Sequence, residues 1–556
     1  VCLLKNKLTY ILLFILSAIL LTLIQQPYNL SLLAWIAWVP FVMGALSDVK
    51  TKQIVISSYI IALIYWLFSL YWLIPITFVG WAVLCLYLAV FWPIVAVALR
   101  FCTQRKIPLW FSLAVLVVGE ESIRGWLFGW RFLAHSQFSN LHLIQIADIF
   151  GTAGISFVIA MVNGLICDII FYSHEDTKTR RFKIVSGAVI TLIVLSGTLY
   201  YGKIKIDETP QYTQAGPKIG IVQCNVPVKA GEDTTPFEQV FLDQLSDSRY
   251  AFATARPALI IWPETMVETV LDESYLKIVA EGYASKVIHN ALVRHANEGV
   301  NVLVGAFAAD AVVDGNHIKL KTRYNTAFLY EPNESYSRQH YNKIWLVPFG
   351  EYIPLKKELP FLYKFLLSMT PYDFDYTLDR GTEFTIFKIK SEGKNYNFAA
   401  SICYEDTVPY MCKTLVAPDG IKQAEWLVNI SNDGWFVKET SLGYKVSSEL
   451  RQHMAICVFR AIENRVPIIR CANTGISCMI DSVGNIKDGF IAGTLKEKAA
   501  ERTAQSGWLV DSIKIDKRVT VFSKHRQILA LTCAMCLILS AVMSIYTNKK
   551  DSEPQA

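Results

Sequence analysis

The chain has 556 residues, 53% of them hydrophobic and 18% charged, with 53 Lys and Arg against 47 Asp and Glu. A typical soluble domain is about 25% charged, so this composition excludes a disordered chain, a collagen-like repeat and a small disulfide scaffold. The basic surplus falls in short loops between apolar runs, which marks it as a topology signal and not a nucleic-acid surface.

The N-terminal part is almost free of charge. Residues 1–119 carry only Lys5, Lys7, Asp48, Lys50, Lys52, Arg100, Arg105 and Lys106. Residues 8–47 are a charge-free run of 40, broken at Gln25-Gln26-Pro27-Tyr28-Asn29, and residues 53–99 a run of 47 with a turn at 75–77. A helix needs about 20 apolar residues to span the hydrocarbon, so each run holds two spans. Residues 107–130 read as a fifth span despite Glu120, Glu121 and Arg124, 149–171 as a sixth, 184–202 as a seventh and 527–548 as an eighth. Basic residues cluster at the N-terminus and after spans two, four, six and eight, the fourth and last clusters being Lys178/Arg180/Arg181/Lys183 and Lys549/Lys550. The positive-inside rule then predicts cytoplasmic termini and an exported segment 203–524. With seven spans after it, the first is not a cleaved signal peptide. Three parts follow: a membrane domain over 1–202, an exported domain over 203–524, and a last helix and tail over 525–556.

The exported segment alternates short apolar runs with helical patterns, which predicts an α/β layered domain. Strands are expected at 218–226, 258–262, 302–308, 324–330, 396–402, 424–430, 467–480 and 508–515, and helices at 237–254, 273–297 and 446–464. There is no Gly-rich phosphate loop. Of twelve cysteines, Cys224, Cys403, Cys412, Cys457, Cys471 and Cys478 lie here. An oxidising compartment permits disulfides, but no spacing matches a zinc site.

Three segments set polar residues at the ends of apolar strands, where ligands of α/β sheets bind. They are Trp262-Pro263-Glu264-Thr265, the run from Tyr341 to Pro354 (YNKIWLVPFGEYIP), and Ser401-Ile402-Cys403-Tyr404-Glu405-Asp406. Glu264, Lys343 and Cys403 supply a carboxylate to take a proton, an ammonium to meet negative charge, and a thiol to attack. A further segment, 359–376, holds Phe361, Leu362, Phe365, Leu366 and Met369, with aromatics throughout. Helical spacing of these apolar side chains predicts a mobile arm in the outer-leaflet interface that admits lipids to Cys403.

These motifs, in this order and spacing, resemble the nitrilase superfamily, whose Glu–Lys–Cys triad sits in an αββα sandwich. The seven-plus-one arrangement of spans around such a domain, with Gly119-Glu120-Glu121-Ser122-Ile123-Arg124-Gly125-Trp126 and Ser136-Gln137, resembles the apolipoprotein N-acyltransferase branch. The resemblance implies Glu264 as general base, Lys343 as stabiliser of thiolate and oxyanion, and Cys403 as nucleophile. Glu351 would orient Lys343, and Tyr404 and Glu405 would support activity, with the Tyr404 N–H a second oxyanion donor. Trp435 matches a family tryptophan near the pocket, whereas the run 225–232 has no tryptophan where many members carry one. The implied substrates are a phospholipid acyl donor and the N-terminal diacylglyceryl-cysteine of an apolipoprotein. No metal, organic cofactor or nucleic acid is implied. The expected protein is a monomer in the bacterial inner membrane, with its catalytic domain in the periplasm. A membrane-tethered amidase shares the triad but does not require eight spans. A transporter with an exported binding domain would show mid-bilayer charges or breaks, which the first four spans lack.

Overall fold

The computed structural model describes residues 8–172, 178–228, 236–315, 317–353, 356, 359–368, 377–441, 443–525 and 527–550. The chain divides into two compact units, one made of residues 1–74, 81–208 and 525–556, the other of 75–80 and 209–524.

The first unit is helical. Four described helices are long and apolar enough to cross a membrane: Thr51–Ser69, Phe78–Gln104, Thr152–Phe171 and Lys183–Asp207. Shorter apolar helices cover Thr9–Leu23, Ser31–Ala45, Leu141–Phe150 and Ile528–Ser544. The expected fifth span is shorter than its apolar run, because the helix Leu109–Arg124 stops at Arg124. The buried Arg124 guanidinium pairs with Glu120 at 2.6 Å and donates to the Trp130 and Arg131 carbonyls at 2.6 and 3.2 Å. One side chain thus neutralises an acid and satisfies non-helical backbone that would otherwise lack partners. The same helix packs on Ile528–Lys550 at Gly119, where an added Cβ would lie 3.0 Å from the Cys533 carbonyl carbon. Small residues allow such backbone approach between helices in lipid.

The second unit is a layered α/β domain. Its larger sheet runs in the order Ala492–Gly493, Gly507–Asp516, Thr213–Gln223, Leu259–Ile261, Asn301–Ala308, Tyr324–Tyr330 and Gln339–Asn342, with Val267–Val270 also paired to Asn301–Ala308. Its smaller sheet runs Cys478–Ile480, Ile468–Ala472, Trp426–Ser431, Lys394–Ile402 and Ile386–Ser391. The inner faces meet where the Cys471 thiol donates to the Val222 and Ile261 carbonyls at 3.2 and 3.3 Å. Helices Phe237–Ala255 and Ala284–Ala296 cover the outer face of the larger sheet, burying Phe241, Leu245, Phe252, Ile288 and Leu292 against Val222, Ile260, Val302 and Val304. Helices Pro409–Val416 and Glu449–Asn464 cover the smaller sheet. This is the αββα sandwich.

Three expected elements differ. The helix 273–297 is two helices, Glu273–Ile278 and Ala284–Ala296, because Val279 turns extended and Gly282, a poor helix former, falls in the link. The helix expected from Val446 starts at Glu449, since Gly443–Val446 is a hairpin strand paired with Val437–Thr440. The stretch 467–480 folds back on itself, with Ile468–Ala472 and Cys478–Ile480 antiparallel. The described cysteines are all free thiols. In the expected arm, Pro360–Ser368 is helical, with Phe361 72% exposed and Tyr363 buried. The side chains of Leu362, Phe365 and Leu366, and all of 369–376, lie outside the described residues, as does 229–235 in the run without tryptophan.

Candidate active site

Each proposed group follows the carboxyl end of a strand. Glu264 lies three residues past Leu259–Ile261, Lys343 directly after Gln339–Asn342, and Cys403 directly after Lys394–Ile402. The turns that carry them are tight. Thr265, Phe349 and Cys403 have φ of +50°, +62° and +52°, a region that costs side-chain-bearing residues energy and clusters at functional sites. Gly305 makes room for the first turn: a Cβ there would lie 2.6 Å from Glu264 Cα and 2.8 Å from Thr265 N.

Lys343 Nζ bridges two carboxylates, donating to Glu264 Oε1 at 3.1 Å and Glu351 Oε1 at 2.8 Å. Asn325 Nδ2 donates to the same two oxygens, at 2.7 and 3.0 Å. Glu264 Oε2 accepts from the Asn432 N–H at 2.8 Å, and Glu351 Oε2 from the Val347 N–H at 2.8 Å. Lys343 is 1% exposed and Glu264 5%. Burial works against the Lys343 ammonium, but Glu264, Glu351 and Cys403 more than offset it and hold its pKa well above the usual range. Cys403 is pushed the other way. Burial and the Glu264 carboxylate hold its thiol well above the ordinary thiol range, against the pull of Lys343. At rest the site therefore holds an ionised Lys343 and a protonated thiol, so attack requires a base.

Glu405 ties the two loops together. Its Oε1 accepts from the Tyr341 hydroxyl and from the N–H groups of Ile344 and Trp345 at 2.8, 2.8 and 2.9 Å. Its Oε2 accepts from the Ile402 N–H at 2.8 Å. Burial pushes its pKa up to about 7, against those donors and Lys343. Glu405 thus fixes the backbone just after Lys343 and just before Cys403, and holds the Tyr341 side chain. Glu405→Gln replaces one acceptor oxygen with a donor that faces another donor. We expect the turnover rate to fall on the order of ten- to a hundredfold with folding retained, since each unsatisfied buried group costs about 1–3 kcal/mol. Wild-type turnover in the purified variant would show that Glu405 does not hold these loops.

Tyr404 is half-buried beside the nucleophile, and Trp435 is half-buried in the turn Asp433–Phe436. Asp433, Glu449 and His453 bring three possible metal-ligand atoms within 4.8 Å of one another. Arg470 Nη2 already bonds Asp433 Oδ2 at 2.6 Å and His453 Nδ1 at 3.0 Å, so the cation these groups face is a guanidinium. The sequence reading missed Asn325, Asn429 and Arg470. A polar residue inside an otherwise apolar strand, as in Tyr324-Asn325-Thr326-Ala327-Phe328, is the signal that marks them.

A buried acid–ammonium–acid bridge and a strand-end cysteine in an αββα sandwich define a carbon-nitrogen hydrolase, and residues 218–496 match that family. Residues 17–165 match the apolipoprotein N-acyltransferase N-terminal domain. The apolipoprotein N-acyltransferase of Geobacter metallireducens is 32% identical over 490 residues, 85% of each chain. That of Chlorobaculum tepidum is 25% identical over 528 residues, 93% of this chain and 92% of its own. An amidase from Nesterenkonia sp. aligns with 57% of this chain and 96% of its own, at 14% identity and a TM-score of 0.35. The chain belongs to the apolipoprotein N-acyltransferase family and is an acyltransferase of lipoprotein maturation.

Proposed function

We propose that acyl transfer proceeds through a thioester on Cys403, with Glu264 as the general base. The observation that carries this reading is the Glu264–Lys343–Glu351 bridge, whose charges bear on the partly buried Cys403 thiol. In the first half-reaction Glu264 takes the thiol proton and the thiolate attacks an ester carbonyl of a phospholipid. Lys343 and the Tyr404 N–H stabilise the tetrahedral oxyanion. Collapse expels the lysophospholipid oxygen, which takes the proton from Glu264 and leaves the acyl thioester. In the second half-reaction the α-amine of a diacylglyceryl-cysteine attacks the thioester. Its pKa is about 7.7–8.0, so part is neutral near pH 7, and Glu264 receives the proton lost on attack. Expulsion of the thiolate, which regains that proton, gives the amide. Glu351 orients Lys343, and Trp435 lines the acyl path. Phe361, exposed on its short helix, rests in the lipid interface.

The acyl-enzyme is the test. Incubation with phospholipid alone should add one acyl group to the Cys403 peptide, seen by mass spectrometry and removed by hydroxylamine or by an acceptor lipopeptide. Unmodified Cys403, or a mark that no acceptor removes, would overturn the mechanism.

Eight spans in a bacterial inner membrane, both termini cytoplasmic and residues 203–524 periplasmic, complete the proposal. Its support is the alternation of basic loops. An alkaline phosphatase fusion near Gly216 should be active and one near Lys178 inactive; the reverse pattern would refute it.

A further inference from the structure

The smaller sheet carries a row of polar side chains across three adjacent strands. Ser401 pairs in register with Asn429, and Asn429 with Arg470. All three are fully buried, on the face that packs against the helix Glu449–Asn464. Their neighbours Ile402, Ile430 and Cys471 point to the other face, as the period of two requires. The triad needs none of these groups, and burying a guanidinium is costly unless it is fully paired.

The row ends on the nucleophile's backbone. Asn429 Nδ2 donates to the Cys403 carbonyl at 3.1 Å, and Asn429 Oδ1 accepts from Arg470 Nη1 at 2.9 Å. Arg470 is itself fixed by Asp433 at 2.6 Å and Asp406 at 3.4 Å, and Asp406 also accepts from His453 Nε2 at 2.7 Å. The Cys403 carbonyl and the Tyr404 N–H are the two ends of one trans peptide, so they point in opposite directions. A donor on the carbonyl fixes where the N–H points. It also draws electron density toward the oxygen, which makes the N–H a stronger donor, and a cation behind the amide strengthens the chain. The left-handed backbone at Cys403 needs such a restraint to stay in place.

We propose that Asn429, held by Arg470, is a positioning residue that orients and polarises the Cys403–Tyr404 peptide, so that its N–H binds the oxyanion of acyl transfer. This rests on the reading of Cys403 as nucleophile and the Tyr404 N–H as oxyanion donor. The effect reaches only steps that form an oxyanion. Acylation by an ester passes through one; alkylation of the same thiol by iodoacetamide is a direct displacement and does not.

The test uses the full-length enzyme with Asn429→Leu, which removes the donor and leaves the charge around Cys403 unchanged. Acyl-thioester formation from phospholipid should slow about tenfold or more, a fraction of the hundred- to thousandfold lost with a whole oxyanion donor. Carbamidomethylation of the Cys403 peptide, followed by mass spectrometry, should stay within about twofold of wild type. Asn429→Ser, which keeps a hydroxyl donor, should fall between the two in acylation and serves if the Leu variant does not fold. Equal losses in both reactions, or no loss in either, would overturn the proposal. Wild-type enzyme alkylated at Cys403 must lose transfer activity. If it does not, the nucleophile reading falls; if it does and the Asn429 variants acylate normally, only the role of Asn429 falls.

Discussion

Cys403→Ala should abolish transfer, with a loss of at least about four orders of magnitude, because no other group at the site can form the thioester. Cys403 is only partly buried and sits in a turn, so the deleted sulfur leaves no sealed cavity and thermal stability should change little. The Asn429 bond to its carbonyl does not involve the side chain and survives the substitution. Cys403→Ser should also turn over poorly. Burial and the Glu264 carboxylate already oppose ionisation of a thiol here, and they oppose that of the much less acidic hydroxyl more strongly. Phospholipid-dependent acylation of a lipopeptide by the purified, folded Ala variant at more than a trace rate would remove Cys403 from the mechanism.

Lys343→Met should block the first half-reaction, leaving no acyl-enzyme to trap. Among the described residues the ammonium is the cation bonded to both Glu264 and Glu351, and removing it leaves a buried and a half-buried carboxylate facing each other. Breaking one partner out of a buried pair costs about 3–5 kcal/mol, so the variant should also melt lower. Folding and chemistry separate through Glu264→Gln, which keeps an oxygen for Lys343 and Asn325 but cannot accept the thiol proton. That variant should fold and still form no thioester. Normal acyl-enzyme in Glu264→Gln would show that another group takes the proton.

The groups legible in sequence are those in short contiguous motifs. Glu264, Cys403 and Glu405 follow apolar strands, and Lys343 and Glu351 lie in one contiguous run over 341–354. The partners of Asn325, Asn429 and Arg470 were not legible, because they are set by strand register between segments far apart in sequence. The same limit explains the helix 273–297. Its apolar spacing continues into Val279, and a single Gly282 does not by itself end a helix; the extended backbone at Val279 divides it. The apolar run through Trp130 likewise gave no sign that Arg124 would end its helix by capturing two carbonyls.

The Arg470 row has a consequence for how the domain assembles. The guanidinium can leave water only when Asp406, Asn429 and Asp433 are all in place, and these come from separate turns and strands. A half-built sheet would strand a bare charge in an apolar interior. The strands Lys394–Ile402, Trp426–Ser431 and Ile468–Ala472 therefore close together rather than one at a time, in a step that depends on contacts distant along the chain. Destabilising any one of them should make all three exchange their amide hydrogens as a single block.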